Sequence, residues 1–521
     1  GGKVLSKWSE QLHDEILENL NQFLEQNEIL AQQNAQKDDE IALLKEQNNY
    51  LMQKLFGSKK ETIMDPDQGS LFDDQLFSQP EQTGEQSDEE VIIEKYSRRK
   101  KRKGLKEEQL KHLPTVDHIH EMEGCSCPNC QEVMKEISTT LLRQEVKYIP
   151  ARMENHRHFQ KTYACSNCEK TGVNTPFIKA DVPKLPLNNS SASASLIAET
   201  LYQKFELKVP AYRQEAHWAL LGYPIPRHNM TNWHIKCSQY YFEDIVSLMK
   251  QELLQAEVLH ADETTYKILA DKDRQKSYVW LFSTGKYVGK PIHIYHVGPS
   301  RGAEVPKAFL NSYEGYLHSD GYSAYSGLDN ITSVACLAHI RRYFYDARPT
   351  DFSKDSPAHK GVQLCNELFS IDKNYSELSI VDRFKLRLKY LKPKLEEFFE
   401  WCESMTTLSK SKLGKAIAYA LKQKDRMMNV LKDGRLVLSN NLAERGIKTL
   451  VIGRKNYLFS TSFKGARSNA TILSLVETAK ANGLHPKKYL EYLLEHLPNR
   501  KNTPLEAYLP WAPKVQVECS I

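Results

Sequence analysis

Apolar residues in the first 55 positions recur at alternating steps of three and four residues. The apolar seam positions are Ile16, Leu20, Phe23, Leu30, Ile41, Leu44, Leu51 and Leu55, with Asn27, Asn34 and Asn48 at further seam positions and Lys37 as an interruption. Asn in such a seam costs stability but fixes the register and favours two strands. We therefore predict a parallel dimeric coiled coil over residues 1–56. An amphipathic helix packed on the chain's own body is the alternative.

Helical periodicity returns over residues 186–255, in three segments. A short break with Gly and Pro, residues 222–226, separates the second segment from the third. A helix, a Gly-containing turn and a second helix are typical of a helix-turn-helix, although other three-helix units have the same pattern. If this region binds DNA, Arg227, His228 and Lys236 are the expected contacts.

The pattern changes to β over residues 256–349. Three consecutive strand-like runs are followed by a short helical stretch, a further strand and a strand-to-helix unit. This order indicates a ribonuclease-H-like core. Residues 350–435 are a predicted helical insertion, residues 436–483 return to the core, and residues 484–521 form a tail with one more helix. The expected fold class is therefore multidomain α+β.

Charge is distributed unevenly, although the net charge is only +5. The predicted linker spans residues 57–104. Residues 65–94 contain ten acids and no Lys or Arg, and residues 95–106, which extend just past the linker, contain eight Lys or Arg and no acid. A basic block is often a nucleic-acid tail, and a solubilising charge run is the alternative. The residues expected to bind phosphate here are Arg98, Arg99, Lys100, Lys101 and Arg102.

Two CxxC pairs lie in the predicted zinc-binding domain, residues 105–185. They are Cys127 with Cys130 and Cys165 with Cys168. Four thiolates in close pairs suit a structural tetrahedral Zn²⁺, and Cys125 is a possible alternate ligand. Residues 144–165 are predicted to form two β-strands that bring the pairs together. This use of cysteine favours a reducing cytosol, and no apolar run reaches the length of a membrane span.

Three acids in distinctive settings suggest a catalytic site. Asp262 lies in a strand-like run, Asp320 follows another, and Glu444 lies on a predicted helix. Carboxylates brought together can hold two Mg²⁺ (or Mn²⁺) ions, which catalyse in-line attack on a phosphodiester. Glu263 is the competing ligand, and strand alternation favours Asp262 because it shares a face with His260.

Each acid also has an ordinary structural alternative. Asp320 precedes Gly321, which is typical of a turn, and Glu444 could pair with Lys448 one helical turn later. Basic residues flank the site, and those expected to contact DNA are His339, Arg342, Arg445, Lys448, Arg454 and Lys455. Tyr457 and Phe459 are interleaved among them and could stack on bases.

At these residues the chain resembles the DDE transposases of the bacterial insertion-sequence-66 family. The motifs that carry the resemblance begin at the coiled-coil exit and continue past the third acid; they are Leu55-Phe56-Gly57, the paired CxxC, Asp262-Glu263-Thr264, Ser319-Asp320-Gly321-Tyr322, Cys336-Leu-Ala-His339-Ile-Arg-Arg342, Asn440-Asn441-Leu442-Ala443-Glu444-Arg445 and Gly453-Arg454-Lys455-Asn456-Tyr457-Leu458-Phe459. The resemblance implies a leucine-zipper-like N-terminus, a zinc domain and a ribonuclease-H-like core with Asp262, Asp320 and Glu444 as its triad.

The resemblance also implies action on the terminal inverted repeats of a mobile element. A metal-activated water would free a 3′-OH, and that hydroxyl would attack target DNA. The expected partners are end and target DNA, a second copy of the chain and element-encoded accessory proteins, in a bacterial cytoplasm near the nucleoid. Two alternatives stay open: a DNA-binding regulator with an inactive nuclease fold, and a nuclease that cuts without joining.

Overall fold

The computed structural model describes residues 22–24, 26–34, 37, 115, 117, 140–141, 151–164, 177–270, 277–349 and 356–521. From Arg152 onward these residues belong to one compact unit. Residues 22–24 and 26–34 are helical and exposed, with Phe23 and Leu30 among the exposed apolar side chains. The dimeric coiled coil stays a prediction.

A small antiparallel hairpin precedes the main fold. Strand β1, Thr162–Ala164, pairs with β2, Phe177–Lys179, and β1 ends directly before Cys165. The prediction of two strands over residues 144–165 is wrong for residues 151–161, which form no strand. Polar and charged side chains dominate that segment, and nearly all are exposed, so no buried face stabilises a strand there. All four predicted zinc ligands, Cys125 and the basic run with Arg98, Arg99, Lys100, Lys101 and Arg102 lie outside the described residues.

Four helices then precede a run of three strands, and a short helix, two further strands and the remaining helices follow. The strands are β3 Val258–Tyr266, β4 Ser277–Thr284, β5 His293–Gly298, β6 Gly315–His318 and β7 Ile331–Val334. The helices are α1 Ala194–Phe205, α2 Ala211–Leu220, α3 Arg227–Cys237, α4 Glu243–Leu253, α5 Glu304–Phe309, α6 Leu337–Asp346, α7 Pro357–Lys373, α8 Ile380–Leu386, α9 Lys392–Ser404, α10 Lys412–Lys422, α11 Lys424–Met428, α12 Asn441–Tyr457, α13 Phe463–Ala481, α14 Pro486–His496 and α15 Pro513–Cys519.

Serine marks the start of five of these helices. The hydroxyls of Ser193, Ser356, Ser379, Ser411 and Ser462 each accept a hydrogen bond from a backbone N–H in the first turn of α1, α7, α8, α10 and α13. Such caps satisfy donors that the helix itself leaves free, and each stabilises its helix by about 1 kcal/mol. Helices α3 and α4 are joined by a π-helical turn, Ser238–Phe242.

The five-stranded sheet has the order β5-β4-β3-β6-β7. Strands β5, β4 and β3 are antiparallel neighbours, whereas β6 runs parallel to β3 and β7 runs parallel to β6. Strand β3 is therefore central. Its register with β6 places His260 beside His318.

Two apolar cores hold this unit together. The larger joins the sheet to helices α1, α4, α12, α13 and α14, and it includes Trp280, Phe282 and Leu475. The smaller joins α6 to the helical insertion through Phe344, Phe398 and neighbouring side chains.

The segment predicted as a tail belongs to the larger core. Helix α14 buries Leu490, Leu493 and Leu494, and α15 buries Val515. Ile521 also donates its backbone N–H to Gly483 O. Within the described residues, no helix combines the length and the apolar character that crossing a membrane requires.

Candidate active site

Strand register explains why Asp262 and Asp320 lie close together. His260 and His318 are paired across β3 and β6, and each acid follows its histidine by two residues. The parallel strands therefore deliver both carboxylates to the same edge of the sheet. The two imidazoles stack at 4.4 Å between ring centroids, which buries polar rings beneath the acids.

Asp262 occupies an unfavourable environment for a charged carboxylate. Burial, together with the negative charges of Glu263, Glu444 and Asp320, raises the pKa of Asp262 to about 8. The Glu263 N–H, 2.9 Å from Asp262 Oδ1, partly opposes these effects. The negative charges of Glu444 and Asp320 therefore oppose the ionisation of Asp262.

Glu263, the competing ligand, is engaged by protein groups instead. Its side chain is only 1% exposed and accepts hydrogen bonds from Arg301 Nη2 at 2.6 Å and from the Tyr325 hydroxyl at 2.6 Å. Arg301 in turn packs over the Tyr322 ring, with 3.9 Å from its Cζ to the centroid. Glu263 thus has its charge balanced inside the protein, whereas Asp262 does not.

Hydrogen bonds from Arg426, a residue of the helical insertion, stabilise the turn that contains Asp320. Arg426 Nη2 donates to Ser319 Oγ at 2.8 Å and to Asp320 O at 3.2 Å, and the Tyr322 N–H donates to Asp320 Oδ1 at 2.9 Å. A Cβ on Gly321 would lie 2.8 Å from both the Tyr419 hydroxyl oxygen and Gln423 Nε2. A larger residue at position 321 would therefore have to displace the ends of these two side chains.

Glu444 reaches the sheet because Asn440 fixes the start of α12. Asn440 Nδ2 donates to Ala261 O at 2.8 Å, and Oδ1 lies 2.9 Å from His260 Nδ1. Since Oδ1 can only accept, His260 Nδ1 is the donor. Burial lowers the pKa of His260 to about 4, so its imidazole is neutral. The residue that begins the Glu444 helix is thereby bonded to the strand that carries Asp262.

The thiol of Cys336 and the imidazole of His339 also lie close to the Glu444 carboxylate. Glu444 Oε1 is 3.9 Å from Cys336 Sγ and 3.6 Å from His339 Nδ1. Cys336, His339 and Glu444 are the group of metal-ligating side chains, within the described part of the chain, whose ligand atoms all lie within 4.8 Å of one another. Asp262 and Asp320 are not members of that group.

The donor set of the three acids fits a divalent cation. Among the described residues, no Lys or Arg forms an ion pair with Asp262 or Asp320, and the carboxylates repel one another. Oxygen ligands of this kind suit Mg²⁺ or Mn²⁺. Asp262, Asp320 and Glu444 are the residues that could hold such ions.

The residues predicted to contact DNA have different surroundings. Arg227, Arg445, Lys448 and Lys455 are exposed. Arg342 lies 3.9 Å from Asp346, and His339 faces Glu444. Arg454 bonds to Thr264 and Thr265 on β3, so it fastens α12 to the sheet.

Sequence reasoning did not assign roles to several residues of this site. Asn440, Arg301, Tyr325 and Arg426 carry most of its internal hydrogen bonds. A buried Asn ahead of a helix signals a cap, yet the Asn440 side chain makes no cap bond. Its real partners come from strand β3.

Four family models match the chain. "Transposase IS66 family" matches residues 189–468, "IS66 C-terminal element" residues 474–511, "zinc-finger binding domain of transposase IS66" residues 124–169, and "Transposase C of IS166 homeodomain" residues 43–117. The first spans more than half of the 521 residues.

Three proteins of Sinorhizobium fredii (strain NBRC 101917 / NGR234) are similar to this chain, each described as uncharacterized. The protein y4hP is 26% identical over 74% of this chain and 73% of its own length. The protein y4qI is 29% identical over 64% and 65%, and y4jD is 28% identical over 77% and 80%.

Proposed function

The chain belongs to the IS66 transposase family, and on that premise we propose that it cleaves the terminal inverted repeats of an insertion sequence and joins them to target DNA. The proposed catalytic residues are Asp262, Asp320 and Glu444. The observation that carries the proposal is the buried Asp262 carboxyl, which forms no ion pair with a Lys or Arg among the described residues and whose ionisation the negative charges of Glu444 and Asp320 oppose.

The strand order supports a ribonuclease-H-like core. Three antiparallel strands, β5, β4 and β3, continue into the parallel strands β6 and β7, and α12 packs across β3 and β4. The proposed triad then draws one acid from the central strand, one from the end of its parallel neighbour and one from the covering helix.

Each residue of the site has a proposed part in the reaction. Asp262, Asp320 and Glu444 would hold Mg²⁺ or Mn²⁺; when bound, such ions activate the attacking oxygen and stabilise the leaving oxygen. Asn440 positions Glu444, and Arg426 positions Asp320. Water attacks phosphorus at the element end and the bond to the 3′ oxygen breaks, which frees a 3′-OH. That hydroxyl then attacks a target phosphate, and a P–O bond of the target breaks.

DNA contacts, oligomer and compartment complete the proposal. Arg227, Arg445, Lys448 and Lys455 have the exposure that phosphate binding needs. We further propose a structural Zn²⁺ at the four cysteines, a dimer through the N-terminal helix, help from accessory proteins, and action in the cytoplasm at the nucleoid.

Asp320→Ala tests this function directly. We expect it to abolish Mg²⁺-dependent cleavage and joining of end DNA while the electrophoretic shift of that DNA is retained. Asp329→Ala, which removes an exposed acid nearby, is the matched control and should keep activity.

The products of the same assay separate the alternatives. Binding without cleavage by the unmodified chain would favour the inactive regulator. Cleaved ends that never become joined to target DNA would favour a nuclease that only cuts.

A further inference from the structure

Cys336, His339 and Glu444 have a geometry close to that of a tetrahedral metal site. With Zn–ligand bonds of 2.0–2.3 Å, the ligand atoms of tetrahedral Zn²⁺ lie about 3.3–3.6 Å apart. The observed separations from Glu444 Oε1 are 3.6 Å to His339 Nδ1 and 3.9 Å to Cys336 Sγ. All three separations are within 4.8 Å, so closing the site requires shifts of at most about 1 Å.

Local structure organises these side chains before any ion arrives. Cys336 is the residue directly before α6 and His339 lies in its first turn, three residues later, so both side chains fall on the same side of one helix end. The thiol sulfur already accepts the Asn440 N–H at 3.1 Å. That contact ties it to the start of the helix that carries Glu444.

His339 supplies a second, independent sign of a missing partner. Its Nδ1 is buried and has no hydrogen-bond partner among the described residues. Buried polar atoms normally have a partner, and a site for a bound cation is one reason for an exception. Cys336 is itself only 2% exposed, so its sulfur is shielded from bulk solvent and oxidants.

We propose that Cys336 Sγ, His339 Nδ1 and Glu444 Oε1 form a binding site for one Zn²⁺, separate from the four-cysteine site, with a fourth position for water. Thiolate and imidazole select Zn²⁺ over Mg²⁺, which prefers oxygen ligands. As the S–Zn bond forms, the thiol proton leaves to the buffer. Binding here does not depend on the proposed function.

One consequence does rest on the proposed function. Glu444 would serve either this Zn²⁺ or the catalytic ions, and the two arrangements compete for the same carboxylate. Zn²⁺ should therefore inhibit DNA cleavage even when Mg²⁺ is in excess. The site would act as a zinc-sensitive brake on the transposase.

Co²⁺ titration of the full-length chain tests the binding. Thiolate ligation of Co²⁺ gives a charge-transfer absorption band, and subtracting the spectrum of Cys336→Ser from that of the unmodified chain removes the signal of the four other thiolates. We expect a positive difference band and one additional Co²⁺ equivalent in the unmodified chain. His339→Gln should keep a sulfur band but weaken binding by more than about 100-fold, since loss of even outer-shell partners costs 10–100-fold.

Matched controls keep the result interpretable. Cys365→Ala removes another buried thiol, in the smaller core, and should leave the metal stoichiometry unchanged. Serine at position 336 can still accept the Asn440 N–H, and circular dichroism would check that the fold is retained. A zero difference spectrum with equal stoichiometry, in a folded variant, overturns the proposal.

The activity measurement is read separately from the binding measurement. For each variant, the cleavage rate with Zn²⁺ is divided by its own rate without Zn²⁺. Inhibition that is lost in Cys336→Ser but kept in Cys365→Ala supports the brake. If the unmodified chain bound the additional Co²⁺ but had no cleavage activity, the metal site would be supported and only the proposed function would be overturned.

Discussion

Asn440 is the residue whose replacement should most clearly uncouple the two halves of the active site. Its side chain donates to Ala261 O at 2.8 Å and accepts from His260 Nδ1 at 2.9 Å, and the residue is 1% exposed. Asn440→Ala removes both bonds and leaves two buried groups of β3 without these partners.

The size of the effect follows from these two groups. Each buried polar group left unsatisfied costs about 1–3 kcal/mol, so the pair costs about 2–6 kcal/mol. That is a large share of the ~5–15 kcal/mol that stabilises an ordinary domain. At 1.4 kcal/mol for each factor of ten, separation of the α12 start from β3 becomes about 30-fold to about 10⁴-fold more populated.

Hydrogen exchange measures this opening locally. The Glu444 N–H bonds to Asn440 O at 3.2 Å, so peptides that contain it report on the first turn of α12. We expect this amide to exchange faster by the factor given above, and cleavage to need more Mg²⁺ because Glu444 is held less firmly.

Asn441→Ala is the matched control, because Asn441 is an adjacent, half-buried residue of the same type. If Asn440→Ala and Asn441→Ala gave equal exchange rates at Glu444, the reasoning about Asn440 would be refuted.

Three further predictions follow from other contacts. The pKa of Asp262 is raised from 3.8 to about 8, so its contribution to stability is present below about pH 4 and lost as the pH rises towards 8. The thermal midpoint of the metal-free chain should therefore fall relative to that of Asp262→Asn between pH 4 and pH 8, and added Mg²⁺ should reduce the difference between the two midpoints. Midpoints that change in parallel with pH would contradict the raised pKa of Asp262. Tyr325→Phe removes the 2.6 Å bond to buried Glu263 and should destabilise the main unit by about 1–3 kcal/mol in urea unfolding, whereas Tyr240→Phe at an exposed site should not. Leu30 is a predicted seam position and Gln33 is not, so Leu30→Asp should convert the predicted dimer into a monomer in sedimentation experiments, whereas Gln33→Asp should not. If the unmodified chain were itself a monomer, the coiled-coil prediction would be wrong.

The sheet could be predicted from sequence because its signal is local. Strands β3, β4 and β5 follow from three consecutive strand-like runs, and the acids Asp262 and Asp320 lie in or directly after such runs. The partners of those acids are not local. Arg426, which bonds to Ser319 Oγ and Asp320 O, comes from the helical insertion, and Arg301 and Tyr325 bond to the neighbouring Glu263; none of the three has a sequence pattern that marks it as a support of the site.

Arg454 and the C-terminal segment are two further examples of long-range contacts that the sequence pattern does not reveal. A basic residue among other basic residues predicts DNA contact, yet Arg454 bonds to Thr264 and Thr265. The Pro-rich end was expected to be a tail, but Val515 and Cys519 are buried in the larger core. In both cases tertiary contacts decide the outcome, and residue type alone does not contain them.

The hydrogen bond between His260 and Asn440 can form only after a delay during synthesis of the chain. The two residues are 180 positions apart, with the helical insertion between them. At about 5–20 residues per second, a ribosome needs about 9–36 s to make that stretch. During this interval β3 has emerged without the residue that satisfies Ala261 O and His260 Nδ1. The nascent chain therefore carries Asp262 and Asp320 before Glu444 has been made, so the proposed site can form only after residue 444 has left the ribosome.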